Sequence, residues 1–386
     1  MTDLNILSSK KTLQTIYHPP VIKVIGLGGG GSNAINRMIE LGLDGIDFIS
    51  ANTDAQALKN SLAKYKIQIG PNLTRGLGAG GNPRIGESAA EESLVEIKNA
   101  LSGAEMVFLT AGMGGGTGTG SIPVAARIAR SINAVTVSIV TTPFSFEMGK
   151  RQRNAQEGLE KLRPYSDTLI TVPNDRLLQI APADLPLEMA FRMADDVLRQ
   201  GIQGIVELIT ETGLINVDFA HIRQMFRSGG GSVLSIGQGQ GENRAIQAIE
   251  KALHHPLLDE ICLDHASGII ANFTGGEKVT FLEVADALNF LQEKTGFHAD
   301  IIPGLITDER MGDRVEVILI ITGMGATPLE KTIPSSPKRS ELSSLTQSTV
   351  SPIMETPRIP DSTYGFSNSQ DDLDIPAFLR KRARQN

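Results

Sequence analysis

Two stretches of this chain place many glycines where an apolar strand gives way to a helix. Val21 to Ile25 runs into Gly26-Leu27-Gly28-Gly29-Gly30-Gly31-Ser32-Asn33-Ala34, and Met106 to Thr110 runs into Ala111-Gly112-Met113-Gly114-Gly115-Gly116-Thr117-Gly118-Thr119-Gly120-Ser121. Main chain without Cβ atoms admits a ligand closely, and the start of a helix offers unpaired N–H groups and the positive end of a dipole, so each segment reads as an anion site. Glycine sacrifices roughly 0.5–1 kcal/mol of chain entropy relative to alanine where no special backbone angle is needed, so ligand approach explains this many glycines better than structure alone. Gly26, Gly28 and Gly31 also satisfy GxGxxG, which with Asp47 and Asp54 near the second strand admits an NAD(P)-binding Rossmann oxidoreductase. The second loop changes that balance. Two such loops at one edge of a parallel sheet can enclose a triphosphate from both sides. Neither ends in the GK[ST] of a P-loop, so backbone dipoles, helix termini and Mg²⁺ must replace the missing lysine.

Other residues could complete such a site. Val172-Pro173-Asn174-Asp175 puts Asn174 at the end of a strand, where open α/β sheets bind ligands. Phe191 and Asp195 are four apart in a helical pattern and share one face. An aromatic ring can stack on a purine, and a carboxylate can accept from both N1–H and the 2-amino group of guanine. Adenine offers neither donor. Asp196 points about 100° further round the helix and is less well aimed.

The elements that must position these groups can be read from periodicity. Val21 to Ile25, Gly45 to Ser50, Met106 to Thr110, Ala134 to Thr141 and Thr168 to Val172 are short, β-branched runs separated mostly by helical stretches, which predicts a largely parallel α/β sheet covered on both faces. Pro186 to Thr212 predicts one long helix whose apolar stripe is wide enough to be buried between domains, with Gly213 as its stop. Strands near Val233 to Ile236, Gly268 to Phe273, Ile301 to Thr307 and Val315 to Thr322, with helices near Asn243 to His254 and Phe281 to Lys294, predict a smaller α+β domain. The boundaries that follow are a flexible extension over 1–20, a nucleotide-binding domain over 21–185, a central helix over 186–212, the α+β domain over 213–325, a Pro/Ser/Thr-rich disordered linker over 326–370 and a terminal peptide over 371–386.

With 386 residues, 40% of them hydrophobic, the chain can fill about two cores. A net charge of −7 argues against general nucleic-acid affinity. The polar N-terminus and the absence of any apolar run near the roughly 18 residues of a membrane span predict a cytoplasmic protein. The lone Cys262 reads as a small core or surface residue in a reducing compartment.

The string GGGTGTG at Gly114 to Gly120, in its strand-to-helix setting, resembles the signature of the tubulin/FtsZ family, and the resemblance extends over nearly all the chain from Val21. Ala51 to Leu58 resembles the family's loop after the second strand, and Gly78 to Pro83 the loop that senses the γ-phosphate. The resemblance implies a Rossmann-like GTPase domain, a long central helix and an α+β C-terminal domain. It implies GTP or GDP held by Gly29, Gly30, Gly31, Ser32, Asn33, Gly116, Thr117 and Gly118, with Glu147 and Arg151 along the ribose and phosphates and Asn174, Phe191 and Asp195 at the base. Family members usually read Phe-Glu-Gly, whereas Met148 here separates Glu147 from Gly149. Gly213 to His221 resembles the synergy loop that reaches the nucleotide of the next subunit, so Asn216, Asp218 and His221 would complete a catalytic site on assembly, with Asp218 polarising water. His221 stands where the family normally carries an acidic residue, which implies slow hydrolysis, or in the limit a GTP-bound scaffold. The implied partners are further copies of the chain, head to tail in a mid-cell division ring, and membrane-tethering proteins of FtsA or ZipA type that would dock on Asp371 to Arg384.

Overall fold

The computed structural model describes residues 20–323, except 44, 148, 180, 183, 211–217, 228–230, 256–262 and 264–265. In the first half, β1 (Ile22–Leu27) leads to α1 (Gly28–Glu40), β2 (Asp47–Asn52), α2 (Ala55–Lys59), β3 (Tyr65–Gln68), α3 (Pro71–Thr74), α4 (Pro83–Glu92) and α5 (Leu94–Leu101). Then come β4 (Met106–Gly112), α6 (Thr117–Ser131), β5 (Val135–Thr142), α7 (Gly149–Leu162), β6 (Thr168–Pro173), α8 (Asn174–Leu177) and α9 (Leu187–Thr210). The second half holds α10 (Phe219–Arg227), β7 (Gly231–Gln240), α11 (Arg244–Leu253), β8 (Gly268–Gly275), α12 (Phe281–Lys294), β9 (Asp300–Thr307) and β10 (Arg314–Thr322).

These strands form one sheet in the order β3-β2-β1-β4-β5-β6-β7-β10-β8-β9. Neighbours from β3 to β6 are parallel, and every residue of β5 is buried, as a strand covered on both faces requires. β7 joins β6 in parallel through Leu169–Gly231 and Ile170–Ser232. β10 is antiparallel to β7 and to β8, and β8 is parallel to β9. It follows that β7, β8 and β9 run in the same sense as β1 to β6. The C-terminal ends of β1, β4 and β6 therefore share one edge of the sheet, and the starts of β7, β8 and β9 lie on the opposite edge.

The predicted long helix is α9, and its stripe holds it against both halves. Leu198, Ile202 and Ile205 are fully buried, each worth about 1.5–3 kcal/mol by burial, which outweighs any helix propensity in fixing the element. Gly201 faces Ile139 of β5 and Leu234 of β7, Gly204 faces Ile318 of β10, and Asn272 of β8 donates to the Gly204 carbonyl at 3.1 Å. The other face of the first half packs α6 and its neighbours over Ile25, Val107 and Leu109, while in the second half Ala248, Ala287 and Leu291 of α11 and α12 pack on β8 and β10. Gly213, the expected stop, lies outside the described residues, as do Cys262, the N-terminal extension, the linker and the terminal peptide. No helix among the described residues is long and apolar enough to cross a membrane.

Candidate nucleotide site and opposite edge

Because β1 and β4 are adjacent and parallel, their following loops emerge side by side. The two glycine segments touch: a Cβ on Gly28, whose φ is +70°, would lie 2.8 Å from the Gly118 nitrogen, and one on Gly30 would lie 3.1 Å from the Gly112 nitrogen. Gly116 is as crowded on its other side, where a Cβ would lie 2.8 Å from the Asn82 nitrogen. Asn82 caps α4 by accepting from the Arg84 N–H at 3.1 Å, so the 78–82 turn closes against the second loop. Side chains would separate these three segments; glycine lets their N–H groups converge. Gly29 and Gly115 face open space. Ser32 is buried and shares a hydrogen bond with Ser50 of β2 at 2.7 Å, and Thr117 pairs with Thr53 at 2.6 Å, pinning the first turns of α1 and α6 to β2 and the loop after it.

Glu147 and Arg151 are brought together. The Glu147 carboxylate accepts from the Phe144 N–H at 2.9 Å and pairs with the Arg151 guanidinium. Met148 lies outside the described residues, and α7 starts at Gly149, so the pair is kept at helical spacing across the inserted residue. Gly114 packs against Arg151, where a Cβ would lie 2.8 Å from the Arg151 carbonyl oxygen. One turn on, Asn154 donates to the Gly114 carbonyl at 3.1 Å and to that of Gly81 at 3.4 Å, tying those two loops to α7. Sequence reasoning missed Asn154; its three-residue offset from Arg151 on one helix was the available signal.

Near the Glu147–Arg151 pair, Phe191 meets Phe144 edge-on, with ring centroids 5.3 Å apart, and Phe144 stacks on Phe146. Asn174 is buried at the start of α8, and its side-chain Oδ1 has no hydrogen-bond partner. An orphaned amide oxygen at the C-terminal edge of a parallel sheet is what a ligand's donor would satisfy. Asp195 and Asn33 line a cavity of about 730 Å³ between α1 and α9, within the size range of small-molecule sites. Burial, with a smaller contribution from the neighbouring Asp196 charge, pushes the Asp195 carboxyl up to about 7. Asp196 lines the same cavity and is held by Arg199 at 2.7 Å and by Gln200 at 3.1 Å.

Asp218 and His221 are on the opposite edge. Asp218 precedes α10, its carboxylate accepting from the Ala220 N–H at 2.9 Å and its carbonyl from those of His221 and Ile222. Arg223 approaches Glu105, just before β4, and Arg227 donates to the carbonyl of Asn133, just before β5, fixing α10 beneath the strand starts. Asn216 lies outside the described residues. His221 meets Asp300 at the first residue of β9, with Nε2 2.7 Å from Oδ2. Nothing near His221 in sequence announces Asp300. Among the described residues no group of three or more His, Cys, Asp or Glu side chains is placed to hold a metal ion.

A family model described as the tubulin/FtsZ family GTPase domain matches residues 21–182, and one described as the FtsZ family C-terminal domain matches residues 230–325. An empty FtsZ dimer from M. jannaschii is similar, with 45% identity, a TM-score of 0.75 and coverage of 79% of this chain and 89% of that one. A tryptophan-to-tyrosine point mutant of FtsZ from M. jannaschii gives 46% identity and a TM-score of 0.76, covering 79% and 91%. CetZ2 from Haloferax volcanii, as a GTPγS-bound protofilament, shares the fold at 20% identity and a TM-score of 0.68, covering 81% and 96%. An oxidoreductase reading of the first loop has no counterpart in these matches. The two family models together span most of the chain, and with relatives at 45–46% identity they show that the chain belongs to the tubulin/FtsZ family of GTPases.

Proposed function

We propose that this chain is a GTPase that acts as a head-to-tail polymer, each nucleotide being hydrolysed where two subunits meet. What supports it is the placement of the two halves of the chemistry at opposite edges of one sheet. From Asp195 to the end of α9 at Thr210 the helix rises about 22 Å, and contacts of α10 with Glu105 and Asn133 keep Asp218 at the far edge, away from the nucleotide of its own chain. A second copy stacked edge to edge brings the two together. Such a contact joins different surfaces and does not close on itself, so it propagates as a filament. The domain limits at 21–185, 186–212 and 213–325 fit this division of labour.

In the joined site Gly29 to Asn33 and Gly116 to Gly118 donate main-chain N–H groups to the phosphates, Glu147 and Arg151 flank ribose and phosphate, and Asn174, Phe191 and Asp195 hold guanine. Mg²⁺ bound with the triphosphate would offset the charge on its oxygens. Asn216 and Asp218 of the adjoining copy orient water, whose oxygen bonds to the γ-phosphorus while the bond to the bridging oxygen breaks, yielding GDP and inorganic phosphate. His221 supplies an imidazole where a carboxylate would attract a cation more strongly, and hydrolysis is accordingly slow. Measured against protein concentration, phosphate release is expected to stay near zero below a threshold and rise linearly above it, the threshold coinciding with GTP-dependent sedimentation. A constant rate per subunit at dilutions where nothing sediments would sink the proposal; sedimentation with no phosphate release would leave the scaffold reading.

The cellular setting in this reading is a division ring at mid-cell. Asp371 to Arg384, with apolar Leu373, Ile375, Phe378 and Leu379 between acidic and basic ends, docks on a membrane-tethering partner of FtsA or ZipA type, and the 326–370 segment supplies reach. Removing 371–386 is expected to leave sedimentation with GTP unchanged and to abolish recruitment to vesicles coated with such a tether. Recruitment that survives the truncation would place the docking site elsewhere.

A further inference from the structure

The surface around Asp218 contains a pairing that local sequence does not encode. His221 is in the first turn of α10, Asp300 opens β9 seventy-nine positions later, and they meet at 2.7 Å because the starts of β7, β8 and β9 share an edge. Both side chains remain partly exposed, at 47% for His221 and 61% for Asp300, so the pair is presented outward. Beneath it is a cavity of about 90 Å³ lined by His221, Gln224, Met225, Ser267, Gly268 and Asp300. An exposed pair of this kind contributes only about 0–1 kcal/mol of stability, so its main consequence is geometric.

We propose that Asp300 is a positioning residue for hydrolysis, holding the His221 imidazole so that Nδ1 faces the interface as an acceptor beside Asp218. It rests on Asp218 and His221 being the hydrolytic edge of the polymer. An ionised carboxylate can only accept, so the Nε2 it contacts carries the hydrogen; in the neutral ring Nδ1 is then the lone-pair nitrogen. A ring left to rotate and exchange tautomers would present a donor or an acceptor indifferently, whereas water attacking the adjoining subunit's γ-phosphate must donate a hydrogen to be oriented. Asp300 thus returns a carboxylate to this edge, one side chain removed from the place where the family sequence pattern carries it, and the rate that His221 sustains depends on it.

The test compares phosphate release per sedimented subunit for the full-length chain and for Asp300→Ala, Asp300→Asn, His221→Ala and the His221→Ala/Asp300→Ala pair, with Asp218→Asn as reference. Asp300→Ala is expected to lower the rate about five- to twentyfold at an unchanged assembly threshold, since one water-orienting hydrogen bond is disordered rather than removed. Asp300→Asn, whose amide can donate as well as accept and so no longer fixes the tautomer, is expected to lose rate much as Asp300→Ala does. The double variant is expected to be no slower than His221→Ala. Nitrogen NMR of the GDP-bound monomer is expected to show His221 as the Nε2–H tautomer, becoming a mixture in Asp300→Ala. An unchanged rate in Asp300→Ala, or an equal loss from Asp300→Ala in the His221→Ala background, overturns the role of Asp300 when Asp218→Asn is still inactive. If Asp218→Asn also keeps its rate, the hydrolytic-edge reading itself fails.

Discussion

Asp218→Asn is expected to lower GTP hydrolysis per polymerised subunit by at least about 100-fold while leaving monomer affinity for GTP and thermal stability at native values. The size of the loss follows from removing a carboxylate that orients or deprotonates the attacking nucleophile. Asparagine is the informative substitution because Asp218 has a second duty. Its side-chain oxygen accepts from the Ala220 N–H at 2.9 Å at the start of α10, a bond that asparagine retains and alanine loses. Asp218→Ala should therefore show the same catalytic loss with a further penalty of about 1 kcal/mol in stability. Phosphate release and sedimentation measured in parallel, with denaturant melts of both variants, separate the two duties. Hydrolysis by Asp218→Asn within a few-fold of native would remove Asp218 from the mechanism.

The second large effect is at the base. The Asp195 carboxyl, raised to about 7 by burial and by Asp196, is near half protonated in the unliganded chain at neutral pH. Guanine donates two hydrogens and needs the carboxylate, so binding expels the proton below pH 7. GTP affinity is expected to rise up to tenfold per pH unit below about 7 and to level off above it, with ATP showing no such slope. Asp195→Ala should weaken GTP by about 10- to 150-fold, the worth of about 1.5–3 kcal/mol of charge-assisted bonding, and abolish the slope. Stability runs the other way. Because the folded-state value lies above the unfolded one, the contribution of Asp195 to stability is fully present below about pH 4 and is lost as pH rises through about 7. At pH 8, unliganded Asp195→Ala should therefore melt higher than the native chain. Calorimetry at pH 6, 7 and 8 in buffers of different ionisation enthalpy checks both signs. A flat GTP affinity with no proton release would refute the assignment.

How far residue pattern alone reaches can be seen from particular elements. The α12 start at Phe281 follows from a capping box in which Thr280 and Glu283 satisfy each other's backbone N–H groups, a local signal that sequence exposes fully. β3 escaped because Tyr65-Lys66-Ile67-Gln68 is an edge strand with one buried residue, too polar and short to announce itself. β7 extends to Gln240, four residues past its apparent end at Ile236, because Gly237 and Gly239 lie against the backbone of α11, and close approach of that kind is invisible without tertiary structure. The same division holds for the site. The glycine loops and the Phe191/Asp195 face are local patterns on single elements. Asn154 and Asp300 act through partners that only the fold brings near: the loops at Gly81 and Gly114, and the first turn of α10.

The crowding among the glycines sets how these two loops can vary. At Gly28, Gly31, Gly116 and Gly118 an added carbon would meet main-chain atoms at 3.0 Å or closer, and main chain cannot step aside as a flexible side chain can. A side chain at any of these four would force main chain to shift. Gly29 and Gly115 have nothing within 4 Å. Of these six glycines, Gly29 and Gly115 are the ones that admit a side chain without moving main chain. A reporter group attached there would fill the open space before the loops and compete with the nucleotide proposed to occupy it, so its displacement would read out binding.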